Sequence, residues 1–484
     1  MTATLRSEWV KFRSVRGWLA CLLLIPLLTV GLGYLTASGS MCGDGPYPGQ
    51  PVALACSQPI GPGGGAVEDQ FYFVHRTLTG NGTLTARLTG LSSAQLQPWA
   101  KAGIIIKASL TPGSAYAAML GTGANGVRFQ YDYTGDKAGL PGLAPHWLRL
   151  TRSGNVLTGY DSADGVHWLP VGSTVLRGLP ATVQVGLFAA SPDPVSTGAV
   201  QAGTLPTLTG TFTNVTGPFT DAGTWTGTYL GAVGPLAAGD SGFQQAGGTF
   251  QVTGRGDIAP AVAPQAAITP IGQTLTGAFA GLIAAIVLGT LFITSEYRRG
   301  LIWLTLAASP ARGRVLAAKA LVTGAVTFVA ALAGVAIALP LGKHLLHENG
   351  NFFGPLSMAT ELRVAIGTAA VFAITAVLAL AIGTIVKQGA TAVMTMIVAI
   401  VLPYLLAVAS PVLPAAAASW LLRLTPAAGF SIQQTFQQYP QVASAYTAWN
   451  GYFPLAPWAG FAVLCAWALG GLALAGFLLT RRDA

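Results

Sequence analysis

The stretch IGQTLTGAFAGLIAAIVLGTLFITSEYRRGLIWLTLAASPARGRVLAAK, residues 271–319, decides the fold. It opens with an uncharged apolar run, Ile271 to Thr294, long enough to cross a bilayer as a helix. The run stops at Ser295-Glu296-Tyr297-Arg298-Arg299-Gly300. A short amphipathic piece follows, Leu301 to Ala308, then Ser309-Pro310-Ala311-Arg312-Gly313-Arg314, Lys319 and another apolar run. A membrane helix that ends in a compact charged elbow, with the chain returning at once, offers a soluble partner something to push on.

The rest of the chain fits this reading. Charged residues make up 8 % of the sequence and apolar residues 52 %, whereas a soluble protein carries roughly a quarter charged residues. The deficit is local. Six segments account for it, Trp18–Thr36, Ile271–Thr294, Ala320–Leu341, Val364–Val386, Ala390–Ala409 and Trp458–Thr480, each near the roughly 20 residues a spanning helix needs. The sequence therefore predicts an α-helical polytopic membrane protein of six spans. The first segment follows basic residues, as a signal peptide does. We read it as a retained anchor, because its apolar run is long for a signal core and Thr36-Ala37-Ser38-Gly39-Ser40 is a weak cleavage site.

Charge sets the expected orientation. With the N-terminus in the cytoplasm, the inner segments hold Arg6, Lys11, Arg13, Arg16, Arg298, Arg299, Arg312, Arg314, Lys319, Lys387, Arg481 and Arg482 against Glu8, Glu296 and Asp483. Residues 37–269 hold ten basic and eleven acidic side chains. The formal net charge of +9 is thus a topology signal of the positive-inside kind, and no nucleic-acid partner is expected. Both termini are placed in the cytoplasm and residues 38–269 outside the plasma membrane. Cys21 and Cys465 lie within spans, where a reduced cysteine is a small apolar residue. Cys42 and Cys56 fall on the outer side in a Gly/Pro-rich stretch, where an oxidising compartment favours a disulfide.

Along the chain, residues 1–17 read as a helix on the inner surface, with Leu5, Trp9 and Phe12 at helical spacing and Arg6, Glu8, Lys11 and Arg13 opposite. Residues 18–37 are the first span. Residues 38–269 form an all-β region with a linker: short alternating runs from about Gln70 are broken by turn signals. Ala115–Gly121 and Val127–Tyr133 flank Ala124-Asn125-Gly126. Trp147–Arg152 and Val156–Tyr160 flank Ser153-Gly154-Asn155, and Ser162-Ala163-Asp164-Gly165 turns the chain again. Thr182–Ala190 adds an apolar strand and Gly248–Thr253 another alternation. Many short strands of even spacing argue a sandwich. Ala259–Thr269, with Pro260 and Pro264, reads as a stiff linker. Residues 270–484 carry spans 2–6, an inner loop 294–314, an outer loop Lys343–Glu361, a tight inner turn Lys387-Gln388-Gly389, and a long outer connection Pro411–Leu455 whose stretch Phe430–Tyr439 is amphipathic.

Little chemistry is offered by the polar residues. Gly342-Lys343 lacks the Gly-rich loop that cradles phosphates, so ATP would be bound by a partner and no cofactor is expected on this chain. His344, His347 and Glu348 lack the zinc-protease spacing and read as a solvated loop. Arg255-Gly256-Asp257 reads as a chance tripeptide. Asn81-Gly82-Thr83 and Asn214-Val215-Thr216 match the glycosylation pattern and carry no further argument. The six spans, as bounded above, contain no charged side chain. Ion-coupled carriers keep such groups at span depth, so energy from outside the membrane is the better reading. An apolar pathway leans towards amphiphilic cargo.

At this point the chain resembles the permease subunits of type-2 ATP-binding-cassette exporters. Leu5 to Arg16 is similar to their opening interface helix, with Arg6, Glu8, Trp9 and Lys11 as its contact residues. Ile293 to Gly300 together with Leu306 to Lys319 is similar to their inner loop after the second span. Leu421–Ser431 and Trp458–Ala484 also fit, so the likeness covers residues 1–37 and 271–484. It implies six spans, a dimer of permeases set in membrane lipid, two cytoplasmic ATPase subunits, and a coupling contact made by Ser295, Glu296, Tyr297, Arg298 and Arg299. Positive-inside anchoring alone also accounts for Arg298 and Arg299.

In one place the pattern departs from that family, whose first outer loop is short. Phe71–Ala190 resembles the concanavalin A-like lectin/glucanase sandwiches, most clearly at Pro98–Lys107 and Trp147–Asn155. Val127, Phe129, Tyr131 and Tyr133 are expected to pack the core, while Arg128, Gln130 and Asp132 face either a ligand or water. No pair of catalytic carboxylates stands out, which argues against glycoside hydrolysis and against an enzyme. The rival reading is a membrane-anchored, lectin-like binding protein without transport, for which one anchor would suffice.

Overall fold

The computed structural model describes residues 2–39, 58–194, 206–219, 223–231, 239–262, 271–308, 311–351, 353–408, 413–442, 446 and 451–481. Two compact units divide the chain. One is Met1–Pro46, Thr269–Phe436 and Tyr446–Ala484; the other is Tyr47–Ile268 with Gln437–Ala445.

The first unit is helical. Helix α1 (Thr2–Ser14) is followed by α2 (Arg16–Ser38), α3 (Ala278–Arg298), α4 (Leu301–Ala308), α5 (Arg312–Glu348), α6 (Met358–Val386), α7 (Gly389–Met396), α8 (Leu402–Val408), α9 (Ala415–Leu424) and α10 (Pro457–Arg481). A π-helical turn, Ile397–Val401, joins α7 to α8. Among the described residues six stretches are long and apolar enough to span a membrane: Arg16–Ser38, Ala278–Arg298, Arg312–Glu348, Met358–Val386, Gly389–Ala407 and Pro457–Arg481. Small residues let them approach. A Cβ on Gly289 would stand 2.2 Å from the Ala376 carbonyl oxygen, and one on Gly334 would stand 2.9 Å from Pro26 Cα. Membrane helices pack in this way because lipid offers no hydrophobic drive for association.

Three boundaries differ from expectation. Ile271–Leu275 is a 3-10 turn, and α3 starts at Ala278 but runs on through Glu296 to Arg298. Helix α5 continues to Glu348, taking in Lys343 and His344 that were expected in an outer loop. The Phe430 end of the amphipathic stretch is covered by protein. Pro426–Gln433 is a 3-10 helix whose Phe430 and Ile432 are buried in the bundle core. Phe430 stacks on Phe279 at 4.7 Å and packs against Tyr404 at 5.0 Å. Apolar side chains at that spacing gain more by packing on the helices than by facing water.

The second unit is a β-sandwich of two seven-stranded antiparallel sheets. The first has the order β10 (Leu169–Val175), β9 (Val156–Ser162), β8 (His146–Ser153), β3 (Gly82–Ser92), β12 (Leu208–Thr216), β15 (Thr249–Gly254), β14 (Gly242–Ala246). The second has the order β13 (Thr226–Leu230), β2 (Phe71–Thr79), β11 (Thr182–Ala190), β4 (Lys101–Lys107), β5 (Tyr116–Thr122), β6 (Val127–Tyr131), β7 (Gly135–Ala138). Alternate residues of both sheets, such as Leu88, Leu148 and Phe212 from one and Val74, Ile104 and Phe129 from the other, form one core. That is the period-2 consequence of strand geometry.

The predicted linker is partly strand. β16 (Ile258–Pro260) pairs with β1 (Val67–Asp69) as a two-stranded ribbon. Lys101 Nζ bonds Asp257 Oδ1 at 2.6 Å and the Ile258 carbonyl at 3.1 Å. Lys107 Nζ bonds Asp69 Oδ2 at 2.7 Å, the Ser114 carbonyl and the Tyr133 hydroxyl. Both lysines are fully buried; Lys107 ties one end of β4 to Asp69 in the ribbon, and Lys101 ties the other to Asp257 beside it. Tyr133 therefore does not share the core of Val127 and Phe129. Asp132 and Tyr133 take positive φ (44° and 65°), which turns Tyr133 to the other face of the sheet, among Phe73, Ile105 and Tyr116.

Candidate functional site where four helices meet

The site is built where α1, α3, α4 and α5 meet. Helix α3 ends at Arg298, and Gly300 follows with φ +67°. That left-handed conformation is open to glycine at little cost and closes the helix, so α4 begins at once. Every side chain of α4 except Thr305 is apolar, so the expected amphipathic piece is apolar nearly all round. Its one hydroxyl accepts a hydrogen bond from Lys11 Nζ at 3.1 Å. Leu301, Trp303 and Leu304 are exposed, Leu304 to 69 %.

Beside this elbow lies an ion network. Lys319, on α5, is fully buried and donates to Glu8 Oε2 and Glu296 Oε1, both at 2.7 Å. Lys11 donates to Glu8 Oε1 at 3.0 Å and lies 3.4 Å from Glu296 Oε1. Burial would lower the Lys11 pKa, but its hydrogen bonds to Glu8 and Glu296 and their charges outweigh it, so the pKa is raised. Phe12, Trp18 and Phe292 wall the network, with Trp18 edge-on to Phe292 at 4.9 Å and Lys319 Nζ 4.7 Å from the Phe292 ring centre. Two carboxylates and two ammonium groups cancel formally, which is what burial of charge requires. Glu296 Oε2 accepts no hydrogen bond among the described residues. Next to the network is a cavity of about 660 Å³, lined among others by Lys11, Trp18, Glu296, Arg299, Leu304 and Thr305.

The elbow residues thus divide. Arg298 and Arg299 are exposed, Ser295 and Tyr297 are half-buried, and Glu296 is 4 % exposed. Its carboxylate holds the network and does not face solution. Tyr297 lies under Lys387, whose Nζ is 5.4 Å from its ring centre. On α1, Glu8 and Phe12 are the buried residues, while Arg6 and Trp9 are exposed. Phe12 is buried, Leu5 packs on the core and Arg6 and Arg13 are exposed as expected, whereas Glu8 turns inward and Trp9 outward, because the buried lysine of α5 needs a counter-ion more than Trp9 needs burial. The sequence reading missed Lys319 and Thr305 as members of the site. A lone lysine one residue before an apolar run, with a glutamate at the end of the preceding span, was the available signal.

Elsewhere the expected residues scatter. Arg128 forms an ion pair with Asp136, and Gln130 Nε2 donates to Asp136 Oδ1 at 3.1 Å; Arg128 also lies over the Trp99 ring at 5.6 Å. Asp132 accepts from the Tyr116 amide at 3.3 Å. The polar groups proposed as a ligand face are thus engaged with their own sheet. Cys42 and Cys56 lie outside the described residues, while Cys21 and Cys465 are free thiols. Among the described residues no group of three or more His, Cys, Asp or Glu side chains could hold a metal.

Comparison with known proteins gives one long match. The sequence model described as ABC-2 family transporter protein matches residues 108–484. No curated protein matches. Among solved structures, a functionally unknown protein from Saccharomyces cerevisiae is similar at 15 % identity and TM-score 0.23, covering 38 % of this chain and 97 % of that one. SCP-B, of the eqolisin family of peptidases, is similar at 9 % identity and TM-score 0.25 over 38 % of this chain and 98 % of its own. A GH43 protein, BlXynB, from Bacillus licheniformis is similar at 19 % identity and TM-score 0.18, covering 22 % of this chain and 24 % of that one. At these scores the structural likenesses carry no argument.

Proposed function

The chain belongs to the ABC-2 family of transporter proteins, and from that premise we propose that it is the permease half of an exporter whose strokes come from a separate cytoplasmic ATPase. It is a multi-pass membrane protein and a transport component; its family normally pairs with such an ATPase. In our reading two copies form the pathway across the plasma membrane, both termini lie in the cytoplasm, and the sandwich lies outside, where it binds, gates or receives cargo.

One observation carries the coupling assignment. Exposed Arg298 stands beside an apolar helix, α4, whose Leu301, Trp303 and Leu304 face outward. An apolar patch rimmed by charge marks a docking surface. Arg298 and α4 meet the ATPase; Ser295 and Tyr297 shape the elbow; Glu296 acts as a positioning residue by holding it against Lys319 and α1. A push on α4 then reaches α5 through Lys319 and α1 through Lys11. The helices and the ion network make a rigid lever, whereas a mobile loop would absorb the stroke.

The test is co-purification of the ATPase with the membrane protein, the fold being checked by melting temperature. Arg298→Glu with Leu304→Asp is expected to cut ATPase binding about a hundredfold, roughly 2.7 kcal/mol. Undiminished binding by a folded double variant overturns the assignment.

A further inference from the structure

In the sandwich, the contact between Lys101 and Asp257 holds the parts of a condensation. Nζ and Oδ1 stand 2.6 Å apart, and the two side chains are 0 % and 4 % exposed. Lys101 opens β4, and Asp257 directly precedes β16. Two backbone groups fix the pair: the Ile258 carbonyl accepts from Nζ at 3.1 Å, and the Ile258 amide donates to Asp257 Oδ1 at 2.8 Å. The carbonyl aims the amine, and the amide polarises the carboxyl group that the amine faces, as a donor to a developing oxyanion does. The third N–H of Lys101 has no partner among the described residues. At the other end of β4 the arrangement differs. The three N–H groups of Lys107 are spent on Asp69, Ser114 and Tyr133, and none is left to face a further carboxyl.

A second carboxyl lies beside the Lys101–Asp257 pair. Glu68 on β1 is opposite Ala259 of β16, two residues from Asp257, a diagonal that brings side chains within reach across paired strands. It is half-buried and makes no hydrogen bond or ion pair among the described residues. The charges of both Asp257 and Lys101 act on it; burial first, and then Asp257, push its pKa up to about 8, so it keeps a proton at neutral pH. A primary amine, a carboxyl at contact distance and a proton-bearing neighbour are what amide formation needs. We propose that Lys101 and Asp257 condense into an isopeptide bond, with Glu68 as the proton carrier. The Lys101 ammonium first passes a proton to the Asp257 carboxylate, leaving a neutral amine and a neutral carboxyl. The Nζ lone pair attacks Cγ, and the Nζ–Cγ bond forms. Glu68 gives its proton to the departing hydroxyl of Asp257, the Cγ–O bond breaks and water leaves; Glu68 then takes a proton from Nζ. One ammonium and one carboxylate become one amide and one water, with Glu68 unchanged. Buried charges are costly, and the neutral amide removes two. It also joins β4 covalently to the start of β16, so the ribbon cannot peel from the sheet.

The test is denaturing mass spectrometry of the purified, reduced full-length chain, followed by peptide mapping. The unaltered chain should weigh one water less than its sequence, and a peptide containing Lys101 should be found joined to one containing Asp257. Glu68→Gln should keep the fold, as judged by melting temperature, yet lose the link and regain the full mass. Lys101→Arg, which keeps the charge and has no free amine, should do the same. Should either variant fail to fold, the mass and the peptide map of the unaltered chain decide alone. The full sequence mass in the unaltered chain, with the two peptides separate, overturns the proposal. So does a missing water that maps to Asp164-Gly165, since an aspartyl-glycine pair can cyclise by itself. A link formed as completely in Glu68→Gln as in the unaltered chain also overturns it, because the proton would then travel without Glu68.

Discussion

The two units each bury lysines, and they bury them differently. In the sandwich, Lys101 and Lys107 each form an ion pair with one carboxylate; Lys101 adds the Ile258 carbonyl, and Lys107 the Ser114 carbonyl and the Tyr133 hydroxyl. These one-to-one pairs pin the β1–β16 ribbon to β4, although Asp69 Oδ1 accepts no hydrogen bond among the described residues. In the helical unit, Lys319 and Lys11 share Glu8 and Glu296, and Lys11 remains partly exposed. A one-to-one pair holds one geometry. A shared network joins α1, α3 and α5 to one another, as a lever made of several helices needs.

The largest expected effect breaks the shared network. Lys319→Met leaves Glu8 and Glu296 buried with only Lys11, an uncompensated charge that costs about 3–5 kcal/mol. Melting of the detergent-purified protein should show it, and adding Glu296→Gln to Lys319→Met should restore part of the loss. If the single variant melts like the unaltered chain, the network is ornamental and the contrast with the sandwich collapses.

The pins of the sandwich should be as costly to break but should leave the elbow alone. Lys107→Met leaves buried Asp69 without its ion-pair partner, bonded only by the Tyr133 hydroxyl at 2.9 Å and the Gly113 amide at 2.7 Å. The expected loss is again about 3–5 kcal/mol, and binding of the ATPase should be untouched. A loss of ATPase binding in Lys107→Met would show that the pins also serve the transport cycle.

Arg298→Glu alone sharpens the comparison from the outside of the joint. It should weaken ATPase binding about tenfold, roughly 1.4 kcal/mol, with no change in melting temperature, because Arg298 is exposed and outside the network. A drop in melting temperature would place it inside.

The smallest effect concerns protons near Lys101. Burial, and then the neighbouring Asp257 charge, push the Glu68 pKa up to about 8 from the usual 4.5. The folded chain therefore keeps a proton that the unfolded chain releases across that window, so stability falls as pH rises from about 4.5 to about 8. Hydrogen exchange at the β1 amides of the full chain should quicken with that slope beyond the intrinsic dependence, and Glu68→Gln should flatten it. An unchanged slope in the variant removes Glu68 from the account.

Much of this fold can be read from residues alone. Six uncharged runs announce the helices, because bilayer thickness sets their length. Thr182–Ala190 and the flanks of Asn125-Gly126 announce strands, because alternation and primed turns are local properties. What depends on distant partners stays hidden. Lys101 and Lys107 look like ordinary strand ends until Asp257 and Asp69 arrive from a ribbon about 150 and 40 residues away along the chain. Glu296 reads as a surface contact until α5 brings Lys319 under it. Lys387 as a left-handed helix cap (φ 62°) was legible as a turn at Lys387-Gln388-Gly389. The buried Phe430 was legible only as one side of an amphipathic stretch, since the sequence does not say whether lipid or protein covers it.

The most direct test of the central claim is photo-crosslinking in intact cells, with a benzophenone side chain placed in turn at positions 298 and 303 and, as a control, at exposed Val166 in the sandwich. The account predicts that positions 298 and 303 capture an ATP-hydrolysing cytoplasmic subunit and that position 166 does not. Capture of that subunit from position 166, or labelling of position 298 by a reagent confined to the cell exterior, would contradict it.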